Sequence, residues 1–236
     1  MQCKIYKDVH EFYHATYDVL MRHEAQNLVP LGNVIIGHEG KDKSEWRDPA
    51  NWLMATVSDA RGILLSAVMT PPYKITLYAT DNIIRPDALG CLIEGIKEWA
   101  VPGVMTEKAL AEAFYAASEY GKTQMSIPQE AGLYLHKIAT GKFFVLEDNG
   151  RPVSMAGINK EMQTVVGVGF VYTPPYERGK GYATALVAQI SQLALDRGFS
   201  KCVLYTDMAN PTSNNIYQRI GYRALCDSRE MGFGVG

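Results

Sequence analysis

Apolar and polar residues recur along this chain with two periods, one helical and one alternating, and the order of the stretches predicts a mixed chain of helices and strands. From about Val9 to Gln26 the residues Phe12, Tyr13, Ala15, Tyr17, Leu20 and Met21 return at helical spacing, so a helix opens the chain. Three strand-like runs follow, Asn51 to Val57, Gly62 to Met69 and Lys74 to Ala79. Turn residues at 59–62 and 70–72 separate them, which predicts an antiparallel meander. Pro86 to Trp99 reads as an amphipathic helix through Leu89, Leu92, Ile93 and Ile96. Thr106 to Tyr120 reads as another, with Thr106 as N-cap.

The second half repeats this order with stronger signals. A helix is expected over Gln129 to Ala139, then a hairpin of Lys142 to Glu147 and Val153 to Ile158 about the Asn149-Gly150 turn. Gln163 to Thr173 is a long run rich in β-branched and aromatic residues that ends at Pro174-Pro175. Gly181 to Arg197 is a helix with Leu186, Ile190, Leu193 and Ala194 on its apolar face, closed by Gly198. Lys201 to Thr206 reads as a buried strand, Pro211 to Ile220 as a short helix and Tyr222 onward as a last strand. The fold class expected is α/β (α+β), a mixed, mostly antiparallel sheet flanked by helices, built as two similar units in tandem over 1–124 and 125–236. The strings Met69-Thr70-Pro71-Pro72-Tyr73 and Tyr172-Thr173-Pro174-Pro175-Tyr176 are alike, but the shared element order carries more weight.

Composition narrows the function classes. Apolar residues make up 47% and charged residues 20% of 236, which suits a folded globular chain with enough length for one large core or two small ones. Net charge is −2 and both signs are mixed throughout, so no basic stripe invites nucleic acid. Cys3, Cys91, Cys202 and Cys226 stand far apart without a CxxC pair, which favours reduced thiols over zinc or a disulfide framework. No run is long and apolar enough to span a bilayer and the N-terminus has no signal-like apolar segment, so no membrane partner and a cytoplasmic location are expected. Oligomeric state leaves no trace in the pattern.

Chemistry concentrates after residue 173. A strand that hands a diphosphate to a helix must end at a defined point and then turn several backbone N–H groups toward one concave spot at the helix's positive end. Here Pro174-Pro175 ends the pairing, Gly179 and Gly181 free the backbone to bend, and Tyr182-Ala183 begin the helix. Arg178 and Lys180 add positive charge. Spacing excludes two other phosphate loops. A Walker loop needs Ser or Thr after Gly179-Lys180, where Gly181 stands, and a dinucleotide fingerprint needs glycine where Thr184 stands.

The pattern that remains is Arg/Gln-x-x-Gly-x-Gly/Ala, met by Arg178, Gly181 and Ala183. A second motif follows, Asn210 to Tyr222, with Asn210, Ser213, Tyr217, Gly221 and Tyr222 in register with Asn-x-x-Ala/Ser-x-x-x-Tyr-x-x-x-Gly-Phe/Tyr. With both motifs in order, the segment from Val165 to about Asp227 resembles the core of the GNAT N-acetyltransferase family. The second motif also makes local sense, since Asn210 can cap the helix that Pro211 starts and Gly221 can end it.

The resemblance implies acetyl-CoA as co-substrate, no metal, and direct attack by a primary amine on a small molecule or peptide. It implies that backbone groups near Val171 to Thr173 hold the pantetheine arm, that Arg178, Gly179, Lys180, Gly181, Tyr182 and Ala183 hold the pyrophosphate, and that Asn210 touches the cofactor. Tyr217 stands where the family keeps its acid for the leaving thiolate. Many relatives place a Glu base on the fourth strand; Gln163 to Thr173 has none, and Glu161 just before it is the nearest candidate. His10, His14, His23 and His136 lack metal-like company, and Trp46, Trp52 and Trp99 read as core or contact residues between the halves. The first half has no glycines after Ala79, where Thr80 to Ala88 follows, so it is expected to be a degenerate GNAT-like unit that binds no CoA and shapes the acceptor site. A non-catalytic acyl-CoA sensor or interaction module is the alternative to an enzyme.

Overall fold

The computed structural model describes residues 1–40, 48–118 and 141–233. The helix expected over 129–139, with His136, lies outside the described residues, as does Trp46. The chain divides into two compact units, Met1–Pro128 with Cys226–Gly236, and Gln129–Leu225.

The first unit opens with β1 (Gln2–Tyr6), followed by α1 (Val9–Met21) and α2 (Leu28–Glu39). Asp8 caps α1 by accepting from the amides of His10 and Glu11, and Val9, Phe12, Thr16 and Leu20 fall on one buried stripe. The second helix, unanticipated from the pattern, contains Pro30, Gly32 and Gly37. Gly37 is a close-approach position, because a Cβ there would lie 2.9 Å from the Trp52 ring. Packing rather than propensity makes this segment helical.

The meander is β2 (Leu53–Asp59), β3 (Gly62–Met69) and β4 (Thr76–Ala79), all antiparallel, with β1 beside β2. Next come α3 (Pro86–Gly95), β5 (Gly103–Glu107) and α4 (Lys108–Ala117). A parallel bridge between Ile75 and Val104 sets β5 next to β4. One sheet face packs on α3 and α4 through Leu89, Leu92 and Phe114, the other through Phe12, Val34 and Trp52. Strands covered on both faces carry continuous apolar runs, which explains Leu53 to Val57. Thr106 is strand, not cap; Glu107 caps α4 instead, accepting from Ala109 and Leu110.

The second unit begins with the hairpin β6 (Phe143–Asp148) and β7 (Arg151–Glu161), whose turn residues Asn149 and Gly150 both have left-handed φ, 50° and 73°. β8 (Val165–Tyr172) pairs with β7, α5 (Tyr182–Asp196) follows, and β9 (Lys201–Val203) lies parallel to β8. α6 (Pro211–Ile220) matches the expected bounds. The core sets Ala156, Ile158, Val166 and Val168 against Leu186, Val187 and Ile190 of α5. Full burial of each large side chain there is worth about 1.5–3 kcal/mol. Three antiparallel strands, a helix, a parallel strand and a helix thus recur in both units.

The last strand departs from expectation. β10 (Ser228–Gly232) belongs to the first unit, antiparallel to β5 with Met231 opposite Val104. The reason is side-chain chemistry at its flanks: Glu230 pairs with Lys74, Arg229 with Glu112, and Phe233 is buried against Phe114 and Tyr115. Phe233→Ala should cost about 3–5 kcal/mol, as other buried Phe truncations do. Urea unfolding checks this, and an unchanged midpoint would show that β10 is not anchored there.

Candidate functional site

The site grows from the end of β8. Its parallel pairing with β9 covers only Val165–Gly167 against Lys201–Val203, so β8 runs on from Val168 to Tyr172 without β9 beside it. The expected strand to Thr206 therefore stops at Val203, and the two chains separate where the family would place pantetheine. On the β7 side the register slips: Gly157 faces Gly169, but Met155 faces Tyr172, so β8 carries one extra residue. Phe170 absorbs it with φ 54°, an uncommon conformation for a bulky side chain.

Beyond the bulge the backbone is tied down. Ser154 Oγ donates to the Tyr172 carbonyl at 3.2 Å, so the contact between Ser154 Oγ and Thr173 Oγ1 at 2.9 Å has Thr173 as donor. Arg178 Nε donates to the Thr173 carbonyl at 3.0 Å. Val171 is half-buried against the core, so any ligand contact from it comes through backbone.

A short 3-10 turn, Pro175–Glu177, leads to Gly179 and Gly181, with φ 79° and 84°. A Cβ at either would meet nothing within 4 Å, so conformation and not crowding calls for glycine. Gly181 is the N-cap of α5 and offers no side-chain oxygen, whereas α1, α4 and α6 are capped by Asp8, Glu107 and Asn210. The first amides of α5, at Tyr182 and Ala183, therefore face an open concave turn with no cap from Gly181. A diphosphate fits this place, since the backbone is bent for it and, among the described residues, nothing lies within 4 Å of where a Cβ on Gly179 or Gly181 would sit.

The loop's charge is smaller than the two cations suggest. Lys180 pairs with Glu177 at 2.7 Å, a bond that raises its pKa, and Tyr182 donates to the Asp148 carboxylate, which raises the phenol's. Lys180 is thus offset by Glu177, with the Asp148 carboxylate beside Tyr182, while Arg178 meets a neutral carbonyl and keeps its charge, so amides, helix dipole and Arg178 share the anion attraction.

Asn210 caps α6, accepting from the Ser213 amide at 3.1 Å. Tyr217 is half-buried on the same core, 6.1 Å from the Tyr222 ring, and burial raises its pKa. Tyr222 is spoken for: Ser191 Oγ donates to the Val187 carbonyl, so Tyr222 donates to Ser191, and burial pushes its pKa up to about 12. Tyr217 is the tyrosine left with chemistry to offer.

Glu161 does not join this group. It ends β7 opposite Val166, seven residues before Thr173, or about 20 Å along the strand at about 3.3 Å per residue. Burial alone would raise its pKa, but Lys142 at 3.2 Å and Arg197 at 2.7 Å outweigh that and lower it. A carboxylate so held is a weak base. Sequence reading also missed Asp148, Glu177, Ser154 and Phe170; the alternation along β7 points Ser154 inward, but nothing local marks the bulge. Among the described residues no cluster of His, Cys, Asp and Glu is arranged to hold a metal, and no helix is long and apolar enough to cross a membrane.

Residues 107–222 match the sequence pattern of the Acetyltransferase (GNAT) family. Over that segment, just under half of the chain, the sequence is similar to GNAT acetyltransferases. An uncharacterized N-acetyltransferase of Methanocaldococcus jannaschii is 30% identical over 86 residues, 34% of this chain; the chain spans 38% of that relative's length. A GNAT-family acetyltransferase structure from Colwellia psychrerythraea superimposes over 99% of this chain and 100% of its own, with TM-score 0.55 and 12% identity, which makes the likeness one of fold. A predicted acetyltransferase from Clostridium acetobutylicum, solved with acetyl-CoA, is 20% identical over 39% of this chain and 66% of its own, with TM-score 0.32.

The Glu161 pairing has a pH consequence. Because its folded pKa lies below the ordinary carboxylate value, its contribution is present above that value and is lost as pH falls through the folded one. Glu161→Gln should cost about 1 kcal/mol at neutral pH. The deficit should close on acidification, as read from denaturation midpoints along a pH series; a pH-independent deficit would show that the ion pairs are not its source.

Proposed function

We propose that the GNAT domain transfers an acetyl group from acetyl-CoA to a primary amine on a small molecule or peptide. The observation that carries this is the uncapped turn at Gly179–Gly181, opening α5 directly beyond the place where β8 parts from β9. The amides of Tyr182 and Ala183, with Gly179 and Gly181 bent around them, bind the pyrophosphate, and Arg178 and Lys180 line the approach. Asn210 caps α6 and borders the same groove.

Thioester and amine then meet at the end of β8. Backbone at Val171–Thr173, fixed by Ser154 and Arg178, orients the acyl carbonyl as the amine nitrogen attacks it. The carbon–nitrogen bond forms and the carbon–sulfur bond breaks, leaving a thiolate. Tyr217, protonated across neutral pH because burial raises its pKa, supplies a hydrogen bond or proton to that sulfur. The amine's proton leaves to water, since β8 offers no carboxylate. That absence also favours a second reading, an acyl-CoA sensor without turnover. We further assign the first unit as a degenerate GNAT-like partner that binds no CoA, because Asp81 and Asn82, with φ 58° and 57°, occupy the equivalent connection and engage Arg22 and Gln26.

Two measurements test this. Replacing both Gly179 and Gly181 by Val should weaken CoA binding roughly 100-fold, given about 1–2 kcal/mol of strain for each left-handed position. Calorimetry showing unchanged affinity in folded protein would remove the cofactor assignment. Tyr217→Phe should keep CoA affinity while thiol release with an amine panel falls about 10²-fold or more. Full turnover would end Tyr217's role, and no turnover in the wild type with any amine would favour the sensor.

A further inference from the structure

The bulge in β8 needs something to hold it, because a left-handed Phe170 is strained and a regular β7–β8 ladder would otherwise be preferred. Two cross-strand glycines show what does. Gly157 and Gly169 face each other, and both point to the sheet face opposite the α5 core, since Ala156, Ile158 and Val168 alternate with them into that core. A Cβ on Gly157 would lie 3.3 Å from Phe170 Cδ2 and 3.4 Å from Phe143 Cδ1. In an unbroken strand Gly169 and Phe170 would point to opposite faces. The bulge re-aims the Phe170 ring to Gly157's side, where it packs 5.3 Å from Phe143.

Gly169 is closer still to its neighbour. A Cβ there would fall 2.2 Å from Asn159 Nδ2 and within 3.0 Å of Cγ and Oδ1, so the whole amide plane of Asn159 lies over the Gly169 Cα. Asn159 stands two residues beyond Gly157 on the same face of β7, inside the second register shift of the β7–β8 pair, between Ile158 and Lys160. The wedge sits one residue before the strained one.

We propose that Asn159 is a positioning residue for acyl transfer: its amide, wedged on Gly169, holds the β8 bulge at Phe170 and so fixes where the Val171–Thr173 backbone meets the thioester. This rests on the acyl-CoA reading above. The property used is the bulk of the side chain over Gly169, so the near-isosteric, uncharged Leu serves in place of the amide, whereas a carboxylate would bury a charge at the Oδ1 position.

The experiment compares Asn159→Ala and Asn159→Leu with the wild-type chain, using CoA calorimetry and steady-state thiol release. Asn159→Ala should lower kcat roughly 10²-fold, the scale of an ångström misplacement at a reacting centre, with CoA affinity unchanged. Asn159→Leu should retain most of kcat. Gly169→Ala should lose stability, and adding Asn159→Ala to it should restore the stability that the clash removed, with kcat still low. Amide exchange of 169–173 in Asn159→Ala, measured whether or not the variant turns over, should rise. Wild-type kcat in Asn159→Ala, a kcat in Asn159→Leu as low as in Asn159→Ala, or a parallel loss of CoA affinity and kcat overturns the inference alone. A wild type that shows no saturable CoA binding overturns the underlying reading instead.

Discussion

The parting of β8 from β9 governs the second unit. Parallel strands normally stay paired along their length, and here the pairing ends after Gly167 and Val203 while β8 continues. Every later feature answers that opening. The extra residue at Phe170 turns the free stretch, Ser154 and Arg178 hold its carbonyls, and the left-handed glycines swing the chain from strand to helix. Tyr217 and Asn210 come from the helix that follows β9.

Electrostatics plays a quieter part than the residue types suggest. Arg178 and Lys180 look like an anion grip in one dimension, yet Arg178 Nε is spent on a carbonyl and Lys180 on Glu177. Backbone amides do not have this problem. Those that open α5 have no side-chain cap from Gly181, unlike the amides that Asp8 and Glu107 occupy, and the φ of two glycines sets the bend before them.

Most of the second unit was legible in the sequence because its signals are local. Asn210, Pro211 and Gly221 bound α6 by capping chemistry, and Asn149-Gly150 bounds the hairpin by its turn type. The first unit was harder. β1 is a mostly exposed edge strand with no alternation to read, and α2 breaks propensity with a proline and two interior glycines. β5 is short and was absorbed into the helix after it. Glu161 failed as a candidate because proximity in sequence to a strand says nothing about which end of it matters. Local pattern likewise reads β10 as a strand of the nearer sheet, since pairing with residues so distant in sequence leaves no local mark.

That distant pairing also sets an order of events at the ribosome. Synthesis runs from N- to C-terminus, so β5 waits with one edge bare and the Phe233 position beside Phe114 unfilled until residues 228–233 emerge. The second unit, complete by Leu225, has all its strands available sooner. Although translated first, the N-terminal unit is the one that finishes last.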